Sequence, residues 1–238
     1  MGYTDVHCHI LPQVDDGSQS MEETMEMLRI AEANGITSMI VTPHYKRGRV
    51  GTPRDKIGGL LQQVQERAEE EGIAIQFYPG TEIYYNSSLE EKLESGWLSR
   101  MNDTDYVLVE FSPMDSYPYI RNAIDDIFSL GYRPIIAHVE RYGCMLGKTD
   151  NVRMLHEMGC LIQVNAGSVA GKYGFRVKHF IRNLLKEHLV EFVGTDAHNA
   201  SGRSPEMAKC ADLIYRKCDR EYADAVLFGN ADKYLLGK

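Results

Sequence analysis

Tyr3-Thr4-Asp5-Val6-His7-Cys8-His9 is a β-prone run that ends in two imidazoles, and its reading decides the fold. Successive side chains of a strand point to opposite faces, so His7 and His9 share one face while Cys8 takes the other. A lone His-x-His pair is a weak signal, because a half-buried strand histidine can be satisfied by backbone groups. Recurrence gives it weight. Six further β-rich runs follow: Ser38–Thr42, Ala74–Glu82, Tyr106–Phe111, Arg133–His138, Leu161–Asn165 and Phe192–Asp196. His44 follows the second run, Glu82 ends the third, Glu110 lies at the end of the fourth and His138 ends the fifth. Asp196 and His198 follow the seventh.

Amphipathic helical stretches fill the intervals. Ser20 with Glu23 predicts a capping box, and Gly35 the end of that helix. Thr52 followed by Pro53 reads as an N-cap and first helical position, with Gly72 as the stop. Further helices are expected near Ser87–Ser95, Tyr117–Leu130, Val152–Met158, Phe175–Leu185 and Pro205–Cys218. Seven strand–helix units without a break in composition predict one α/β domain over residues 1–238. An open doubly wound sheet and a closed barrel both fit this alternation. In either, the carboxyl ends of parallel strands converge on one face, so residues distant in sequence become neighbours there.

Composition narrows the function. The 238 residues are 43% hydrophobic and 25% charged, which is ordinary globular usage. A net charge of −8 argues against general nucleic-acid or membrane-surface binding. No apolar stretch approaches the ~20 residues of a membrane span, and the start of the chain lacks the pattern of a signal peptide or a myristoylation site. Five cysteines without a Cys-x-x-Cys pair fit a reduced, cytoplasmic protein.

The converging residues are imidazoles and carboxylates with no thiolate, so a Cys-rich structural zinc site is not expected. Asp16, shortly after the first strand, extends the set. Eight or nine such ligands exceed the needs of one ion and imply two or three. Clustered ions supply hydroxide near neutral pH and clamp the oxygens of an in-line displacement. Phosphate esters are the natural substrates, although amides and lactones are also hydrolysed by metal clusters. Glu110, closing the apolar run Val107–Val109, would be costly to bury unless paired or metal-bound.

Arginines sharpen the choice. Arg141 lies three residues past His138 and Arg203 five past His198, which puts both within reach of the strand-end face. Their guanidinium groups fork onto phosphate oxygens. Lys46, Arg47 and Arg49 follow His44 on a Gly-rich basic loop. They read either as solvated charges or as contacts to the rest of an anionic substrate. His156, His179 and His188 fall in or beside helices without partner ligands. Cys210-x5-Arg216 has the spacing of a cysteine-phosphatase loop, but its glycine-free helical sequence cannot form a phosphate-cradling nest.

These residues resemble the polymerase-and-histidinol-phosphatase (PHP) superfamily. Within it they are most similar to the bacterial manganese-dependent protein-tyrosine phosphatases of capsule and exopolysaccharide systems. The matching stretches are Asp5-Val-His-Cys-His-Ile-Leu-Pro12, Val14-Asp-Asp-Gly17, Thr42-Pro-His44, Gly80-Thr-Glu-Ile-Tyr-Tyr85 and Leu108-Val-Glu-Phe111. They continue with Ile136-Ala-His-Val-Glu-Arg-Tyr142 and Thr195-Asp-Ala-His-Asn199 followed by Arg203. The resemblance implies a distorted seven-stranded (β/α) barrel with three metal ions, manganese by family and iron or zinc as alternatives. By the same resemblance, His7, His9, Glu82 and Asp196 would hold the first ion. Glu82, Glu110 and His138 would hold the second, and Asp16, His44 and His198 the third. Of the adjacent Asp15 and Asp16, the family pattern points to the second. Arg141 and Arg203 would grip the phosphoryl group.

The expected function is phosphotyrosine hydrolysis by a metal-bridging hydroxide. The implied partner is a phosphorylated bacterial tyrosine kinase regulating polysaccharide synthesis; neither nucleic-acid binding nor membrane insertion is expected, and the sequence leaves the oligomeric state open. The alternatives are a small-molecule phosphatase such as histidinol-phosphate phosphatase, a metal-dependent amidohydrolase, or a binding module with structural metals.

Overall fold

Apolar runs, most of them buried on both faces, form parallel strands, and most are followed by a chain return that carries a helix. The computed structural model describes residues 2–237. Its strands are β1 (Tyr3–Cys8), β2 (Ile36–Val41), β3 (His44–Tyr45), β4 (Gln76–Pro79), β5 (Glu82–Tyr84), β6 (Tyr106–Glu110), β7 (Arg133–Ile136), β8 (Leu161–Asn165) and β9 (Phe192–Gly194). The helices are α1 (Met21–Ala33), α2 (Arg54–Glu70), α3 (Leu89–Glu94), α4 (Tyr117–Ser129), α5 (Thr149–Glu157), α6 (Ala166–Val169), α7 (Phe175–Lys186), α8 (Ala208–Lys217) and α9 (Arg220–Asp224).

Two parallel sheets, ordered β1-β2-β4 and β3-β5-β6-β7-β8-β9, curl into a half-barrel. All seven expected runs form strands, but the third is split in two and a short additional strand follows the second. The run expected over Ala74–Glu82 breaks at Gly80–Thr81 into β4 and β5, and β2 gives way to β3 across Thr42–Pro43. The two breaks lie side by side. Gly80 N–H donates to Val41 O at 2.9 Å and Glu82 N–H to Pro43 O at 3.1 Å. A Cβ at Gly80 would stand 3.0 Å from Ile40 Cγ2 and 3.1 Å from Met101 Sδ, so a larger residue would push these neighbours aside by a few tenths of an ångström. Beyond the breaks His44 pairs with Glu82, which aims both toward one point. At the other edge Asp196 N–H donates to His7 O at 2.7 Å and His9 N–H to Ala197 O at 2.8 Å, joining the ends of β1 and β9.

Helix-facing strand residues such as Met39, Val107, Val109 and Ile136 pack with Met25, Leu28, Ile57, Ile120 and Leu184. Residues of opposite parity, Ile40, Leu108, Ile135 and Phe192, form a smaller cluster on the concave side with Ala231 and Leu235. Ser20 caps α1 by accepting from Glu23 N–H at 3.2 Å. The reciprocal carboxylate accepts from Gln19 N–H at 2.8 Å, one residue before the expected partner. The expected Thr52 cap is shifted. Here α2 begins at Arg54, whose N–H donates to Trp97 O at 3.0 Å, while extended Pro53 occupies the cap position without a side-chain bond.

Candidate metal centre

Strand ends and the turns after them bring all nine expected ligands to the carboxyl edge of the sheet. Glu82, at the start of β5, is the hub. Its Oε2 lies 3.3 Å from both His7 Nε2 and His9 Nε2 and 2.8 Å from His44 Nδ1. Its Oε1 accepts from His138 Nε2 at 2.7 Å. Asp196 Oδ1 stands 3.7 Å from His7 Nε2 and 3.6 Å from His9 Nε2. Glu110 reaches His138 at 3.7 Å and His44 at 3.9 Å. Asp16 Oδ1 lies 3.4 Å from His44 Nε2 and 3.6 Å from His198 Nε2. His138 and Asp196 leave their strands with φ of 32° and 53°, a left-handed backbone that β-strands do not continue through.

The groups that fix these ligands sit one layer out. Asp15 Oδ2 accepts from His9 Nδ1–H at 2.8 Å and from His44 N–H at 2.8 Å, and its Oδ1 accepts from Gly17 N–H at 2.9 Å. An ionised carboxylate only accepts, so Asp15 sets the His9 tautomer and turns its Nε2 toward Glu82. Burial alone would raise Asp15, but the bonds from His9, His44 and Gly17 hold it below the ordinary carboxylate range. Gln163 Oε1 accepts from His138 N–H at 2.7 Å and lies 3.2 Å from His7 Nδ1. Its amide donates to Asn165 Oδ1 at 2.9 Å, and Asn165 donates to Asp196 Oδ2 at 2.8 Å. Tyr142 O–H donates to Ala137 O at 2.7 Å beside His138 Nδ1.

Sequence reasoning assigns no orienting role to Asp15, Gln163, Asn165 or Tyr142. The available signal was their chemistry: Gln163 and Asn165 are polar positions on one face of an otherwise apolar strand.

The donor set fits metal ions. His44 Nδ1, Glu82 Oε2, Glu110 Oε2 and His198 Nε2 are buried with no hydrogen-bond partner, although two of them are 2.8 Å apart. Buried polar atoms are rarely left so, and each is a lone-pair donor of a metal-ligating type. Three groups have donor atoms within 4.8 Å of one another: His9, His44 and His198; His7, His9 and Glu82; His44, Glu82 and Glu110. The field is cation-attracting. Burial lowers His9, but Asp15 and Glu82 push it up to about 10. Burial raises Glu82, yet His7, His44 and His138 hold it well below the carboxylate range.

Both expected arginines reach this edge. Arg141 Nη2 lies 2.6 Å from Asp196 Oδ2, and Arg203 Nη2 2.7 Å from Asp196 Oδ1. Each side chain remains 34% exposed. The basic loop divides. Lys46 Nζ sits 3.2 Å from Glu110 Oε2, inside the cluster rather than on the approach to it. Arg47 leans toward Ser87, and Arg49 lines a cleft shared with Asp16 and His44. The remaining histidines lie apart: His156 pairs with Glu191, His179 stacks on Phe175 and His188 on Tyr222. Cys210 is buried in α8, its thiol pushed far up by burial.

The chain as a whole is similar to known proteins. The model for the family described as capsular polysaccharide synthesis, CpsB/CapC, matches residues 3–236. The chain belongs to the CpsB/CapC family. The tyrosine-protein phosphatase CpsB of Streptococcus pneumoniae is 35% identical over 238 residues, covering 98% of each chain. The tyrosine-protein phosphatase YwqE of Bacillus subtilis is 36% identical over 201 residues, covering 84% of this chain and 79% of that one. A crystal structure reported for YwqE and S. pneumoniae CpsB, described as metal-dependent tyrosine phosphatases, superposes with a TM-score of 0.91. It is 31% identical and covers 99% of this chain and 95% of that one. Histidinol phosphate phosphatase of Lactococcus lactis, at 16% identity and a TM-score of 0.61 over 91% of this chain and 94% of its own, shares the fold. Among the described residues no helix of this CpsB/CapC chain is long and apolar enough to cross a membrane.

Proposed function

We propose that this CpsB/CapC-family chain is a cytoplasmic, metal-dependent protein-tyrosine phosphatase acting on a phosphorylated bacterial tyrosine kinase that regulates polysaccharide synthesis. The observation that carries the reading is Glu82 ringed by His7, His9, His44 and His138 beside two arginines. The two sheets are read as one distorted seven-stranded barrel, a single catalytic domain, with the nine ligands at its mouth. Three ions, manganese in the cell, would be held by His7, His9, Glu82 and Asp196; by Glu82, Glu110 and His138; and by Asp16, His44 and His198. Such ions act as Lewis acids and bring the pKa of bound water near neutrality.

The chain's own residues then do the rest. Asp15 and Gln163 hold His9 and His7 with Nε2 turned inward. Arg141 and Arg203 present N–H groups to the equatorial phosphoryl oxygens, where charge grows during displacement. A phenolate leaving group has a pKa of about 10. That is far below an alkanol, so no strong general acid is needed beside it. The arrangement therefore suits phosphotyrosine better than alkyl phosphates.

The test is a steady-state comparison of phosphotyrosyl peptide, phosphoseryl peptide and histidinol phosphate, with chelation followed by return of manganese. Preference for phosphotyrosine, lost and restored with the metal, is expected. Turnover that survives exhaustive chelation, or preference for histidinol phosphate, overturns the reading.

A further inference from the structure

We infer that the cavity beside Asp196 and Arg203 seats the aromatic ring of the substrate and that Tyr173 stacks on that ring. This rests on the phosphatase reading above and adds where the tyrosyl group lies. The cavity, of about 290 Å³, is lined in part by Asn165, Gly167, Tyr173, Asp196 and Arg203. It shares Asp196 and Arg203 with the metal centre, so a phosphoryl group held by Arg203 has this space next to it. Ligand pockets span about 300–1,000 Å³; a cavity at the lower limit suits one ring rather than a long chain.

Gly167 and Tyr173 are neighbours in its wall: a Cβ added at Gly167 would lie in ordinary contact with Tyr173 Cε2 at 3.6 Å. Tyr173 is 48% exposed at the rim and has no ring partner among the described residues. The loop that carries it is held by backbone bonds. Gly171 and Gly174, both with φ of 91°, bracket a tight turn in which Lys172 N–H donates to Gly167 O at 2.9 Å. Lys172 Nζ donates to Gly202 O, which ties this turn to the segment carrying Arg203. Arg203 N–H in turn donates to Asn199 Oδ1 at 2.9 Å. The loop carrying Tyr173 is thus tied to the segment carrying Arg203. An aromatic side chain in the same cavity as the Arg203 guanidinium is a ring-and-phosphate recognition unit.

Two phosphonates with the same head separate ring from phosphoryl recognition. Calorimetric titration of the manganese-loaded protein should show benzylphosphonate binding more tightly than methylphosphonate. Offset stacking contributes about 0.5–1.5 kcal/mol beyond area burial. Tyr173→Ala should therefore weaken benzylphosphonate roughly three- to tenfold and leave methylphosphonate unchanged. Tyr173→Phe should change neither by more than about twofold, since the ring survives. Equal affinity of the wild type for both ligands, or equal losses on both in Tyr173→Ala, overturns the assignment. Failure of either phosphonate to compete with turnover would instead count against the phosphatase reading itself.

Discussion

Asp15 is the place where a change outside the ligand set should be felt most. Its carboxylate accepts three hydrogen bonds, from His9 Nδ1–H, His44 N–H and Gly17 N–H. Bonds to a charged partner are worth about 1.5–3 kcal/mol each, and solvent entering the truncated site recovers part of that. Asp15→Ala should therefore lower the stability of the metal-free protein by about 3 kcal/mol. It also frees the His9 tautomer, and loss of such an orienting partner costs about 10–100-fold in metal affinity. Asp15→Asn is a graded control. Its oxygen can stay at the Oδ2 position and keep His9 and His44, leaving only Gly17 N–H opposed by the amide. It should lose about 1–2 kcal/mol and well under tenfold in affinity. Thermal melts in chelator read the first effect, and calorimetric manganese titration of the stripped protein reads the second. A folded Asp15→Ala protein that binds manganese with wild-type affinity would refute the reasoning, as would an Asn variant as impaired as the Ala variant.

Asp196→Asn and His138→Ala should each abolish turnover and lower metal content by elemental analysis; near wild-type values for both in either variant would remove that residue from the centre. Cys210→Ser should leave kcat/KM almost unchanged, because the thiol is buried and its pKa is raised; a trapped thiophosphoryl-enzyme would contradict this. Arg141→Ala or Arg203→Ala should slow a small aryl phosphate and a phosphopeptide alike, by several kcal/mol in the barrier (about 3) if each stabilises developing charge. By contrast, neutralising Arg47 and Arg49 together should weaken only an acidic phosphopeptide, with a loss that shrinks at high salt; equal losses on both substrates would place the loop in the centre. His156 is raised above its ordinary value by its hydrogen bond to Glu191, so the pair stabilises the fold fully below about pH 6.5 and loses that contribution as pH rises through the folded value. His156→Gln should then destabilise by up to about 1 kcal/mol at pH 5.5 and less at pH 8.5, read by urea melts; a pH-independent difference would exclude the pair as its source.

Much of this was legible in the sequence for a simple reason. Parallel strands are buried on both faces, so their apolar runs stand out, and a carboxylate or imidazole that ends such a run has few structural uses. Glu82, Glu110, His138 and Asp196 are therefore visible without coordinates. The breaks at Thr42–Pro43 and Gly80–Thr81 are not, because close approach of two strands, rather than local propensity, sets them. Asp15 and Asp16 show the same limit. They have the same chemistry one residue apart, yet one side chain is wholly buried against His9 and the other is 68% exposed. Lys46 shows it for the basic loop, since no periodicity tells which of its cations folds back onto Glu110. The α2 start moved by one residue because a distant carbonyl, Trp97 O, takes the N–H that a local cap would have served.

The left-handed backbone at His138 has a consequence for the history of such chains. Conformations of this kind cost of order 1–3 kcal/mol in a residue with a full side chain, and glycine or asparagine adopts them with less strain. The imidazole is kept there against the preference of the main chain. If His138 holds a metal ion as proposed, selection for turnover and selection for a stable fold pull position 138 in opposite directions. A lineage released from the need for the reaction would be drawn to glycine or asparagine at that position early, and its silent descendants would fold better than the working ancestor.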